Sequence, residues 1–258
     1  VGLTNLKDVL HSYGDSNVFG ESYGEGPVRV VWLHGWARRA EDFVLVASQL
    51  AELGVSSVAL DLPGFGSSPL PLVPGGARHY AELIVPALEI LSEEPVVLVG
   101  HSLGGRVATV ISATHPELVK ALVLSAAPLL RSGAPRRSPR VFRIARWLHS
   151  HRLLSEQQME SYRQKYGSTD YRRAQGMIRQ VLVAMVSESY ENELADIVAP
   201  VSFLWGELDN EVPTDIAERA AAMLTVNHAV RVLPGIGHMV PLEAPDELAR
   251  VVIEVLST

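Results

Sequence analysis

Residues 96–107 read VVLVGHSLGGRV, and this stretch limits the chain's fold more than any other. Val96, Val97, Leu98 and Val99 are apolar β-formers in a run too short for a helix, so they read as a buried strand. Gly100-His101-Ser102-Leu103-Gly104 follows, a G-x-S-x-G pattern, then Gly105 and a helix-like run over residues 106–115. Strand, sharp turn and helix around a serine is the context of a nucleophile elbow. The turn strains the serine backbone, and glycines two positions either side leave the room it needs. It lifts the Ser102 hydroxyl to the top of a sheet and aims N–H groups of the helix start toward it. A Gly-rich strand–helix turn with an idle serine is the plainer alternative. Other residues must decide between the two.

The rest of the chain supplies the sheet. Residues 28–33 (VRVVWL), 56–60, 121–125 (ALVLS), 201–205 and 229–233 are further apolar strands, and residues 11–26 read as weak strands or a hairpin. Helical periods fall between them, over residues 40–53, 80–91, 213–224 and 246–256, with Pro86 expected to kink or break the second. Alternation of this kind implies an α/β fold with a mostly parallel sheet covered by helices on both faces. Ligands in such sheets sit beyond the carboxyl ends of the strands.

Two residues at strand ends answer the need of Ser102 for a base and an orienting acid. His238 stands in Pro234-Gly235-Ile236-Gly237-His238, after the last strand, and Asp209 in Trp205-Gly206-Glu207-Leu208-Asp209, after the strand before it. The chain order Ser, Asp, His is the one this kind of elbow uses. Glu207 is a rival acid, with Asp61 and Asp215 as weaker ones. No H-E-x-x-H or Cys/His cluster suggests a metal, and the chain has no cysteine.

Five segments resemble the α/β-hydrolase superfamily in order and spacing. They are His34-Gly35-Trp36, residues 61–68 (DLPGFGSS), residues 100–105 (GHSLGG), residues 205–209 (WGELD) and Gly237-His238 with Glu243-Ala244-Pro245 after it. The resemblance implies an α/β-hydrolase fold, an oxyanion hole from the backbone N–H groups of Trp36 and Leu103, and no cofactor. Ser102 stands where dehalogenases and epoxide hydrolases of this fold carry Asp. The resemblance also implies an inserted helical cap over residues 129–194, between core segments 1–128 and 195–258.

Charge sets the insertion apart. Residues 131–180 carry twelve Lys/Arg against three acids, an excess of +9 in a chain of net charge −7. Within it Val141, Ile144, Ala145 and Leu148 share one helical face, and Arg136, Arg140 and Arg143 another. The preferred reading turns the apolar face to the active site and the basic face to water; contact with an anionic membrane surface is the alternative. Met177, Val181 and Met185 are candidates to line a substrate pocket. Arg106 is a candidate anchor for an anionic substrate, with a structural salt bridge as its other reading. The block lacks the interleaved aromatics of single-strand nucleic-acid binders, so no nucleic acid is expected.

The expected function is a serine hydrolase acting on a small-molecule carboxylic ester. A C–C bond hydrolase of the meta-cleavage type stays open, as does a lyase resembling the menaquinone-pathway SHCHC synthase, in which an Arg after the glycine pair holds a polyanion. A ligand receptor on the same scaffold is the non-enzymatic alternative. The first ten residues carry Lys7 and Asp8 and no apolar centre, and no run approaches the ~18 apolar residues of a membrane span, so a cytoplasmic location is expected. The oligomeric state is open.

Overall fold

The computed structural model describes residues 10–13, 18–131, 140–166 and 169–257. Eight strands form one sheet: β1 (Leu10–Tyr13), β2 (Val18–Tyr23), β3 (Val28–Leu33), β4 (Ser56–Leu60), β5 (Val96–His101), β6 (Val119–Ser125), β7 (Val201–Gly206) and β8 (His228–Leu233). Their order is β1-β2-β4-β3-β5-β6-β7-β8. β1 and β2 are antiparallel, and β2 runs antiparallel to β4. Every pairing from β4 onward is parallel. The weak N-terminal strands thus extend one edge of a parallel sheet.

Alternate residues of each central strand serve opposite layers, as the two-residue repeat of a strand requires. Val31, Leu33, Leu98, Leu122 and Leu124 join one core cluster. Val30, Trp32, Val97, Val99 and Val123 join the other. The first core is closed by α2 (Ala77–Leu91) and α3 (Leu103–Thr114), the second by α1 (Val44–Glu52) and by a late helix, Pro245–Leu256. α1 is preceded by a 3-10 turn at Ala40–Phe43, and α2 runs unbroken through Pro86. That proline is only partly buried and costs one N–H bond.

Between β6 and β7 lie α4 (Arg140–Ser150), α5 (Glu156–Tyr166), α6 (Thr169–Arg173), α7 (Gly176–Ser187) and α8 (Glu191–Asp196). Arg136, placed on the basic face of this segment, lies outside the described residues. α4 does not turn its apolar side inward: Val141 is 49% and Ile144 58% exposed, and only Ala145 is buried. The inward reading of that helix is therefore corrected. The reason is geometric, since α4 packs chiefly on α5 and reaches the interior through its smallest apolar side chain. After β7 come α9 (Asp215–Ala221), α10 (Val240–Glu243) and α11 (Pro245–Leu256). No helix among the described residues is long and apolar enough to cross a membrane.

The glycines of the 100–105 turn let α3 press onto the sheet. A Cβ on Gly104 would sit 2.0 Å from the carbonyl oxygen of Leu33, and one on Gly100 2.5 Å from that of Gly104. The obstacles are backbone, which cannot move aside as a side-chain tip can. Gly104→Ala is expected to lower the unfolding free energy by about 3 kcal/mol, the upper range for overpacking. Urea denaturation of the variant beside the parent chain checks it.

Candidate active site

Ser102 sits between β5 and α3 with φ 51° and ψ −109°. A non-glycine residue at positive φ is strained and persists only where its surroundings hold it. Here the Ser102 N–H donates to Ser125 O at 2.8 Å, and its carbonyl accepts the N–H of Gly105 at 3.1 Å. The hydroxyl makes no hydrogen bond among the described residues, so it is free to turn toward a base. Leu103 opens α3, and its N–H is therefore one of those no intrahelical carbonyl takes. The N–H of Gly104 donates to His34 O at 2.9 Å, which fastens the residues after β3 to the start of α3.

Trp36 lies on that post-β3 segment, its indole meeting Phe65 edge-on at 5.1 Å. His34 supports the segment from below. Its Nε2 accepts the N–H of Leu62 at 2.9 Å, so Nδ1 carries the proton and donates to Gly35 O at 2.7 Å. Burial pulls the His34 pKa down and keeps the ring neutral.

The loops after β7 and β8 bring an acid and an imidazole together. A Cβ on Gly206 would lie 2.1 Å from Gly237 O, so the loops pass backbone to backbone. Leu208 N–H donates to Ile236 O at 2.8 Å, fixing that approach. His238 Nδ1 then meets Asp209 Oδ2 at 2.8 Å. The other oxygen of Asp209 accepts the N–H groups of Glu211 and Val212, each at 2.8 Å. The acid is thus buried with both oxygens engaged, and it can hold the imidazole with Nδ1 protonated and Nε2 as the basic nitrogen. Burial lowers the His238 pKa, but the hydrogen bond and charge of Asp209, with Glu211 and Glu243 behind it, outweigh that. The net shift is upward from 6.5.

The rival acids are engaged elsewhere. Glu207 accepts from Gly235 N–H, Asp61 from the N–H groups of Ala40 and Ser67, and Asp215 pairs with Arg219. The ring of His101 lies 5.1 Å from that of His238 and shares a hydrogen bond with Ser125 Oγ. Enclosure and the nearby His238 charge press its pKa down to about 3.

A cavity of about 680 Å³ gathers these parts. Trp36, Ser102, Leu103 and His238 line it, along with Arg106 and Met185. Val181 is buried in the core instead, and Met177 is half-buried outside the lining. Leu182 and Val186, on the same helix as Met185, take the places that spacing gave to those two. Arg106 donates to backbone through two of its nitrogens: Nε to Pro128 O at 3.0 Å and a terminal nitrogen to Met185 O at 2.6 Å. It ties α3 to the end of α7. Glu188 and Glu211 also line the cavity. Glu211 stands two residues after Asp209, so proximity to the acid was the one sequence signal for it.

Residues 30–251 match the model of the Alpha/beta hydrolase family. The chain belongs to that family. With membership comes the enzyme class, a hydrolase. This hydrolase is 28% identical over 256 residues to the uncharacterized hydrolase YugF of Bacillus subtilis (strain 168), covering 89% of this chain and 90% of that one. It is 38% identical over 135 residues to a pimeloyl-[acyl-carrier protein] methyl ester esterase of Chromobacterium violaceum, covering 52% of this chain and 46% of the relative. Among solved structures it resembles the 2-hydroxy-6-oxo-6-phenylhexa-2,4-dienoate hydrolase BphD from Rhodococcus sp. strain RHA1. That likeness has a TM-score of 0.72 at 21% identity, over 96% of this chain and 98% of the other. At that identity it speaks for the fold alone.

The strain at Ser102 has a measurable consequence. Ser102→Gly removes the hydroxyl and adopts the same backbone freely, so it is expected to stabilise the fold by about 1 kcal/mol. Thermal or urea unfolding reads the gain, and a loss of stability would contradict it.

Proposed function

We propose that this hydrolase cleaves carboxylic esters through an acyl-enzyme on Ser102. His238 Nε2 takes the hydroxyl proton as Oγ attacks the ester carbonyl. Asp209 holds the ring and stabilises its charged form. The N–H groups of Trp36 and Leu103 receive the oxyanion, an effect worth about 3–4 kcal/mol per donor in comparable sites. The tetrahedral intermediate collapses, His238 gives its proton to the leaving alkoxide, and the alcohol departs. His238 then takes a proton from water as it attacks the acyl carbonyl, and Ser102 regains its hydrogen on release of the acid.

The observation that carries the reading is the Asp209–His238 pair in one cavity with a strained Ser102. The Chromobacterium relative, named for a methyl ester, supports the ester over other bonds. In this reading residues 129–194 act as a cap, with α7 as the roof of the acyl pocket. Leu130, Leu182, Met185, Val186 and Ile216 make that pocket mainly apolar, which suits a medium acyl chain. A polyanion-binding lyase gains no support, because Arg106 donates to two carbonyls and three carboxylates, Asp170, Glu188 and Glu211, share its cavity.

Ser102→Ala and His238→Ala are each expected to cut kcat on p-nitrophenyl esters on the order of 10³-fold or more, with circular dichroism unchanged. Near-full activity in Ser102→Ala would end the proposal. The pH profile is a separate test. The base works only when neutral, and its pKa is raised, so kcat/KM should fall as pH drops through a value above 6.5. Glu211 Oε2 lies 3.9 Å from His238 Nε2, so Glu211→Gln should move that acidic limb to lower pH while activity on the plateau persists. An unmoved limb would contradict the assignment of His238 as the titrating group.

A further inference from the structure

α4 presents to solvent what a buried helix would hide. Val141, Ile144 and Trp147 are each about half exposed, and Leu153 just beyond its end is more so. Trp147 rests on His151, ring centroids 4.5 Å apart, which holds the indole outward rather than covering it. Arg140, Arg143 and Arg146 are exposed on the same outward side. Among the described residues none of these three pairs with a carboxylate, whereas Arg163, Arg179 and Arg250 do. α4 contains no acid at all, and its first turn carries Arg140 and Arg143 where the helix dipole disfavours cations. A groove of about 800 Å³ runs along this side, lined among the described residues by Arg140, Arg143, Ile144, Arg146, Trp147 and Ser150.

We propose that α4 docks on an anionic lipid surface, with Trp147, Ile144 and Val141 entering the interface and the three arginines meeting headgroup phosphates. The charge distribution argues for it. A chain of net charge −7 is repelled by an anionic surface as a whole, so only a local basic patch can bring it there, and in one orientation. Each arginine near an anionic leaflet strengthens binding about fivefold. Flanking arginines around an exposed tryptophan and aliphatics are what an interfacial helix requires. Size argues against a protein partner on this patch. Eleven residues make a helix about 16 Å long and about 10 Å across, so one face spans on the order of 160 Å², well short of the ~800 Å² per partner of a stable protein interface. The face is remote in role from Ser102, since no α4 residue lines that cavity. The inference therefore stands apart from the esterase reading.

The test is cosedimentation of the full chain with vesicles of phosphatidylcholine, with and without about 30% phosphatidylglycerol. Binding at least about tenfold tighter to the anionic vesicles is expected, with release in about 0.5 M salt. Two surface variants separate the contributions. Arg140→Gln/Arg143→Gln/Arg146→Gln should abolish the preference for anionic lipid, and Ile144→Ser/Trp147→Ser should weaken binding to all vesicles. Both should keep the parent circular dichroism and turnover of soluble p-nitrophenyl acetate, which shows that lost binding is not lost folding. Equal partition to neutral and anionic vesicles, or binding unchanged in both variants, would overturn the proposal. So would absence of vesicle binding together with arginine-dependent capture of an acidic protein.

Discussion

The close approach of α3 to the strands beneath it governs the rest of the structure. Three glycines make it possible, because a Cβ on Gly100, Gly104 or Gly105 would fall within 2.5 Å of another group. With the helix pressed that near, the chain from β5 has no relaxed way to enter it, and Ser102 takes up the misfit at φ 51°. The same approach lets Gly104 N–H reach His34 O, so the segment carrying Trp36 is set by the elbow itself. His34 extends the linkage to Leu62 through its ring. The Ser102 turn, the candidate oxyanion donors and the loop after β4 are thus one bonded unit.

The proposed acid and base belong to a second unit, the crossing of the loops after β7 and β8. Gly206 permits the crossing, and Asp209 ties it together, since one carboxylate oxygen closes its own loop while the other holds His238. The two units meet across the cavity and where the His101 ring lies against that of His238. The order of the sheet brings them there, with β5, β6, β7 and β8 as parallel neighbours ending on one side.

Much of this was legible in the chain because local chemistry and long-range packing agree there. The central strands are apolar runs with one possible role, and the glycines of residues 100–105 admit one turn. Ser102, Asp209 and His238 could be named because each lies at a strand end in a loop with its own spacing. The side chains of the 129–194 segment could not be placed this way. Helical periodicity finds an apolar stripe but not the direction it faces, and in α4 that stripe turned out to lie largely in solvent. Val181 and Leu182 are neighbours on α7, yet only the second reaches the cavity, a difference set by the roll of the helix. Arg106 was visible as a cation beside the elbow. That two of its nitrogens donate to main-chain carbonyls depends on where α7 ends, which no local pattern records.

His101 has the remaining consequence. It lies against His238, but enclosure keeps it uncharged over the whole range in which an imidazole ordinarily titrates. Two adjoining rings that both accepted protons would share each charge and blur the step between states. With one ring silent, His238 is the imidazole of this pair that can take up a proton near neutral pH, and its neighbour cannot share the charge.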